Sequence, residues 1–262
     1  MKRQLLVLAM AIVVAFGIAG CGQSGQTGQS GQAASGSASA SAVAQSSEPQ
    51  PLVIEESGYT VTDQGYVMYG FKLINPNEGF GAQFPTVQIT GKSADGKIIF
   101  SDDQVLMKIY PGESIAFGTQ AGNGTAPDVV EFTAKVDSKN WKKTDAKREG
   151  LYTLENLNAN GSNYGMSSYT GEITLNKEDK EATKPAITLI VRDESGAIVY
   201  GYTTYLMSEL SVGVPTPFEI TAFGVPETAA TFEVSATPWM LGWSMRPLEA
   251  PWAFPAGLGE PI

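Results

Sequence analysis

The chain has 262 residues, 42% of them hydrophobic and 10% aromatic, which is enough for one large or two small domains. Its 17 Lys and Arg stand against 27 Asp and Glu, a formal charge of −10, and without a basic cluster this acidity excludes nucleic acid as a partner. No histidine is present and Cys21 is the only cysteine, which removes Ser-His-Asp and Cys-His catalysis, His-containing zinc sites and internal disulfides.

Residues 1–20 read as a secretory signal. Lys2 and Arg3 form a basic start, and Leu5 to Ile18 carry no charge, in the pattern of an n-region followed by an h-region. At roughly 14 to 16 residues this apolar run is shorter than the ~20 needed to span a bilayer as a helix. The run ends in Ile18-Ala19-Gly20-Cys21, where small residues admit an extended backbone to a peptidase. The segment resembles the signal of bacterial lipoproteins. That resemblance implies a diacylglycerol on the Cys21 thiol, cleavage just before it, and a location at the cell membrane, lipid-anchored and facing the outside of the cytoplasmic membrane. An ordinary signal peptide with a chance cysteine and an uncleaved anchor are the alternatives.

Residues 21–51 form the acylated start and a linker. Ser24-Gly25-Gln26, Ser30-Gly31-Gln32 and the Ser-Ala alternation at Ser37 to Ser41 contain too little aliphatic surface to offset chain entropy. A disordered Gly/Ser/Gln/Ala tether is expected here, with a reach of roughly 30 Å.

Beyond the tether the chain repeats itself at an offset near 100 residues. Ala94-Asp95-Gly96-Lys97-Ile98-Ile99-Phe100 lies over Glu194-Ser195-Gly196-Ala197-Ile198-Val199-Tyr200, Phe117 over Phe218, Phe132 over Phe232, and Trp141 near Trp239. Landmarks kept in order at nearly constant spacing indicate two copies of one domain. The expected divisions are 52–141 for the first, 142–149 for a charged joint, 150–240 for the second and 241–262 for an extended Pro/Trp-rich tail.

Within each copy the period is two, the strand signature. Tyr69, Phe71 and Leu73 alternate with Gly70, Lys72 and Ile74, and Asn75-Pro76-Asn77-Glu78-Gly79 stops the strand. Val87 and Ile89 restart it, Ser93-Ala94-Asp95-Gly96 turns it, and Ile98 to Phe100 returns. Pro111-Gly112-Glu113-Ser114 is a further turn before Ile115 and Phe117, and Val130, Phe132, Ala134 and Val136 share one face. The second copy predicts strands at Gly171 to Leu175, Ile187 to Val191, Ile198 to Tyr205, Pro217 to Ala222 and Ala230 to Ala236. Short strands with frequent turns in units of about 90 residues predict an all-β protein of two tandem immunoglobulin-like β-sandwiches. The pattern of Leu189-Ile190-Val191-Arg192-Asp193-Glu194-Ser195-Gly196, with Pro111-Gly112-Glu113-Ser114 and an apolar-x-Phe strand, is similar to the FxLYD family of small extracytoplasmic β-sandwich domains. The first copy departs from it at Gly91 and Ser93, and the second at Val212. The resemblance implies a fold found in lipoproteins and surface proteins and brings no catalytic residues with it.

The carboxylate clusters are Glu55-Glu56, Asp102-Asp103 and Glu178-Asp179-Lys180-Glu181. Each falls at a predicted strand end or turn, where acidic residues are commonly solvated. No Asp-x-Asp-x-Asp-Gly calcium loop is present, so neither cofactor nor metal is expected. The stretch from Asn156 to Tyr169 has the Asn/Ser/Gly/Tyr composition of adaptable binding loops, and Asn156, Asn158, Asn160, Asn163, Tyr164 and Tyr169 are the candidate contact residues; a plain mobile loop is the alternative. Tyr200, Tyr202 and Tyr205 fit either ring stacking on a sugar or peptide or cross-strand packing. Trp243, Met245, Trp252 and Phe254 lie among prolines in the tail and suit an extended segment packed on a sandwich. The expected function is a non-enzymatic binding or structural module of the bacterial envelope, attached to the membrane through its diacylglycerol and facing an envelope protein or glycan. The alternative is a carboxylate-based envelope glycan hydrolase or a carbohydrate-binding module.

Overall fold

Alternating apolar residues build the core strands, as β2 (Val67–Ile74) shows: Val67, Tyr69, Phe71 and Leu73 point to one side and are almost wholly excluded from solvent. The computed structural model describes residues 48–239 except 164. The expected signal, Cys21, most of the tether, Tyr164 and the tail beyond Trp239 lie outside these residues. The described part is all-β, with two tandem β-sandwiches and a single 3-10 turn at Ser138–Asn140.

The first sandwich pairs β2 with β1 (Val53–Val61) and β7 (Ser114–Ala121) in one antiparallel sheet. Its second sheet joins β4 (Thr86–Lys92) to β5 (Ile98–Val105) and β8 (Val129–Lys135). Phe71, Leu73, Val87, Ile89 and Phe100 meet between the two sheets. A small extra sheet links β3 (Phe80–Gln83), β6 (Lys108–Ile109) and β9 (Trp141–Lys143). The strand carrying Trp141 thus runs on through Lys142 and Lys143, which pair with Gly81 and Phe80.

The second sandwich repeats this plan. One sheet holds β10 (Tyr152–Asn163), β11 (Met166–Leu175) and β14 (Thr216–Phe223) in the order β10-β11-β14. The other holds β12 (Pro185–Arg192), β13 (Ile198–Tyr205) and β15 (Thr231–Pro238) in the order β13-β12-β15. The likeness extends to irregularities, because the ladder slips between Gly91 and Lys92 in one copy and between Val191 and Arg192 in the other. Both hairpins then turn through a glycine at φ 83°, Gly96 and Gly196, a conformation that L side chains resist. Gly96 N–H donates to Ser93 at 2.8 Å and Gly196 N–H to Asp193 at 3.0 Å.

The strand-breaking Asn75-Pro76-Asn77 segment has a further role. Asn75 is fully buried; its amide donates to the carbonyls of Phe80 and Tyr110, at 2.7 and 3.0 Å. Asn77 holds the entering chain by accepting from the Gln50 backbone N–H and donating to its carbonyl. Buried polar side chains of this kind are tolerated because each finds partners.

The two sandwiches stack so that the β1-β2-β7 sheet faces the β13-β12-β15 sheet, with β13 lying across all three strands of the former. Gly58, Gly70 and Gly118 form one row across that sheet, paired in register. Gly201 of β13 sits on the row: a Cβ there would lie 2.6 Å from Gly70 Cα and 2.7 Å from the Tyr69 carbonyl oxygen. A Cβ at Gly58 would overlap the Ile198 carbonyl, and one at Gly118 the Gly201 backbone. Facing sheets usually stand ~10 Å apart with side chains between them; the glycines bring backbone against backbone instead. Sealing of this contact explains why β12, sequence PAITLIVR, is buried on both faces and why its apolar run is nearly continuous rather than alternating.

Candidate functional site

Polar groups lock the glycine contact. The Thr60 hydroxyl donates to the Val199 carbonyl at 2.7 Å, and Gly118 N–H donates to the Thr203 hydroxyl at 3.0 Å. Thr203 in turn bonds the buried Thr188 at 3.0 Å. At one margin Lys72 lies 3.0 Å from Glu233, and Arg192 bridges Glu233, at 2.8 Å, to Glu56. Burial works to raise the Glu233 carboxyl, but the hydrogen bonds and charges of Lys72 and Arg192 outweigh it and hold the group below its ordinary value.

A second polar bolt centres on Arg148, where the clefts beside the two bolts share Ser114. Arg148, with only 7% of its side chain exposed, lies 3.1 Å from Glu181 of the second sandwich and 4.0 Å from Glu113 of the first. Its guanidinium also sits over the Tyr110 ring at 4.3 Å, an arrangement that suits its weakly hydrated plane. Glu113 accepts from Tyr110 N–H at 2.7 Å. Burial lifts its carboxyl above the ordinary glutamate range, against the Tyr110 amide, Arg148 and Lys108, which pull it down. Glu113, Arg148 and Glu149 line a cleft of about 320 Å³ together with Tyr152 and Pro238. Sequence reasoning passed over both residues. The available signal was scarcity: Arg148 and Arg192 are the two arginines among the described residues, and both tie the sandwiches together.

The stretch expected to be a loop is instead a hairpin. Asn156 to Asn163 belong to β10 and Met166 to Tyr169 to β11, paired antiparallel. Asparagine and glycine do not prevent strand formation when β11 is itself held by β14 on its far side, because the ladder then outweighs weak local propensity. Asparagine serves here at an irregularity: Asn156 adopts φ 55° where the register shifts between Glu155 and Asn158, a left-handed conformation in which Asn is enriched.

The candidate residues do not all converge. Asn156, Asn158 and Asn160 are exposed and bond their neighbours: Asn156 donates to Glu172 at 2.6 Å, Asn158 to the Asn156 carbonyl at 2.7 Å, and Asn160 separately to Thr170 at 3.4 Å. On the same face Ser168 donates to Glu219 at 2.6 Å. The backbone of Asn163 pairs with Met166 at the hairpin end. Tyr169 leaves this group, because it is 6% exposed and packs its ring 5.1 Å from Phe232 in the second core, where burial pushes its phenol up. The tyrosines of β13 also separate. Tyr200 is buried and donates to the Phe223 carbonyl at 3.0 Å, Tyr202 is half-buried, and Tyr205 lies 4.6 Å from the Trp239 ring.

The carboxylate clusters are occupied by structure. Glu56 meets Arg192, Asp102 accepts from Gly122 N–H at 2.7 Å, and Asp179 accepts from Glu181 N–H at 2.9 Å. Among the described residues no group of three or more Cys, Asp or Glu is placed to hold a metal, and no helix is long and apolar enough to cross a membrane. No known family model matches the chain, and no curated protein matches it.

Proposed function

We propose that this chain is a membrane-anchored, extracytoplasmic bacterial lipoprotein that serves as a non-enzymatic binding and structural module of the cell envelope. In this reading Cys21 carries the diacylglycerol, whose two acyl chains supply a stable hold on the membrane where one would be marginal. The segment 21–51 links the anchor to the sandwiches, and the FxLYD-like pattern fits an extracytoplasmic display domain. The observation that carries the reading is the outward face of the β10-β11-β14 sheet, where Asn158, Asn160, Ser168 and Thr170 stand side by side in register with Asn156 beside them and present amides and hydroxyls. A surface of amides and hydroxyls on a sheet held by a packed core offers adaptable hydrogen bonding on a rigid scaffold.

The experiment is fractionation of cells expressing the full chain, combined with cosedimentation on isolated wall material. The expected result is wild-type protein in washed membranes, Cys21→Ala protein released, and wall binding lost in an Asn156→Ala, Asn158→Ala, Asn160→Ala variant. Retention of Cys21→Ala protein in washed membranes overturns the anchor. Unchanged cosedimentation of the triple variant overturns the face.

One observation favours the enzymatic alternative, a carboxylate-based glycan hydrolase. Glu113 has the raised carboxyl that a general acid requires, and it shares its cleft with Glu149. Release of reducing ends from wall glycan by wild type, and its loss in Glu113→Gln, is the result that would replace the binding reading with this one.

A further inference from the structure

Away from both polar bolts, a cleft of about 300 Å³ opens where the two sandwiches meet. Thr62, Gln64, Met68, Thr119 and Gln120 of the first line one side, and Tyr200, Tyr202, Phe223 and Gly224 of the second line the other. We propose that this cleft binds a neutral sugar unit of a glycan. The inference goes beyond the anchored-module reading and names a ligand class at a site separate from the asparagine face.

The first argument is the lining. It contains no Asp, Glu, Lys or Arg, so a charged ligand would lose hydration without gaining an opposite charge. It does contain two carboxamides, of Gln64 and Gln120, and four hydroxyls, of Thr62, Thr119, Tyr200 and Tyr202, groups that donate and accept together and so match the mixed demand of sugar hydroxyls. The amides of Gln64 and Gln120 have no hydrogen-bond partner among the described residues. Thr62 is positioned by its own turn, since its hydroxyl accepts from Tyr66 N–H at 3.1 Å.

The second argument is the apolar wall. Phe223 is 59% exposed, and Tyr202 and Met68 stand with it. The C–H face of a sugar ring is apolar and packs against aromatic faces, while its hydroxyls point outward to the amides. The backbone that carries Phe223 is held by the Tyr200 hydroxyl, which keeps the platform fixed before a ligand arrives. Counting in register from the paired residues Ala121 and Ala222, the first copy has Gly122 where the second has Phe223. Core packing therefore does not require a large ring at this place in the fold.

The third argument is location and size. Ligand sites favour domain junctions, and volumes of roughly 300–1,000 Å³ hold small molecules; this cleft lies at the lower end and suits one sugar ring or the end of a chain. An extended peptide would require unpaired backbone along a strand edge, whereas this lining is a hairpin turn, strand ends and side chains, and the Phe223 carbonyl is already taken.

The test is ligand-observed NMR and calorimetry on the full-length protein in a detergent without a sugar headgroup. The probes are glucose, galactose, mannose, N-acetylglucosamine and the β-1,4-linked disaccharides cellobiose and chitobiose, with glucuronic acid as the charged comparator. Saturable, salt-insensitive binding of at least one neutral sugar is expected, with glucuronic acid weaker. Phe223→Ala should weaken it by about tenfold, the loss of one well-packed aromatic contact, and Gln120→Ala by several-fold. Lys139→Ala, an exposed change outside both the cleft and the asparagine face, should leave it unchanged. Phe223 and Gln120 are exposed, so both variants should melt as wild type does, which separates loss of the site from loss of the fold. The proposal is overturned by the absence of saturable binding to any neutral sugar, by binding that survives both Phe223→Ala and Gln120→Ala, by loss in Lys139→Ala, or by equal affinity for glucuronic acid. None of these outcomes depends on membrane attachment, so failure here and failure of the anchor are distinguishable.

Discussion

The same row of the same sheet has opposite fates in the two copies. In the first sandwich Gly58, Gly70 and Gly118 stand side by side across β1, β2 and β7, and another sheet lies directly on them. In the second, the corresponding row across β10, β11 and β14 is Asn158, Thr170 and Glu219, and it forms part of a polar face. The partner sheets differ in the complementary way. Ile190 pairs with Gly201 in the buried β12–β13 ladder, where the first copy has Thr90 opposite Ser101, on an exposed surface. Two copies of one fold thus acquire one internal interface and two polar outer faces through a few side chains per row. Side-chain bulk decides which faces close, and polarity keeps the others from adding a further layer.

That contrast can be broken most severely at Gly201. Gly201→Val places its side chain against the backbones of Gly70 and Gly118, which have no flexible end to move, and should cost about 3 kcal/mol or more, the upper range for overpacking. Denaturant unfolding is expected to change from one transition to two, with a larger radius of gyration in scattering. A single unshifted transition would show that the glycine row is not what joins the sandwiches.

Arg148→Ala tests the second bolt. It leaves Glu113 buried without its cation and should cost about 2 kcal/mol, as for other hydrogen bonds to charged groups, read as a lower denaturation midpoint. The Glu113 carboxyl should move further up in the variant, which carboxyl-carbon NMR titration would follow. The wild-type sign is also defined: a raised folded value contributes stability below the ordinary 4.5 that is lost as pH rises through the folded value.

Glu233 has the opposite sign and a smaller effect. Its lowered folded value contributes stability that is present above 4.5 and lost as pH falls through the folded value. Glu233→Gln should therefore flatten the acid side of the stability profile while costing about 0.5–1 kcal/mol at neutral pH, in keeping with a partly exposed pair. An unchanged acid slope would remove the Lys72–Glu233–Arg192 network from the account. The smallest change sharpens the comparison from the other side. Asn158→Ala, in the open row, should shift stability by less than about 0.5 kcal/mol, so that the open face and the closed glycine contact differ severalfold in their sensitivity to a change of side chain.

Much of this organisation was legible in the residues. The repeat offset near 100 anticipated matching sheet orders, the alternation of Tyr69, Phe71 and Leu73 marked a core-facing strand, and the glycine turns at Gly96 and Gly196 fell where expected. The hairpin at Asn156 was missed because asparagine and glycine signal turns locally, whereas pairing with β11 and β14 is a tertiary event. Tyr169 looked like a binding aromatic because composition does not say which face of a strand a ring occupies; it packs on Phe232.

What the sequence determined by itself is the set of short-range choices, namely strand, turn and repeat, because these depend on side-chain period and on glycine dihedrals. Only the tertiary structure decided that four scattered glycines meet, that Arg148 and Arg192 are bolts, and that Gln64, Gln120, Tyr202 and Phe223 border one cleft. Those outcomes depend on contacts between residues up to 161 positions apart, and no local period encodes them.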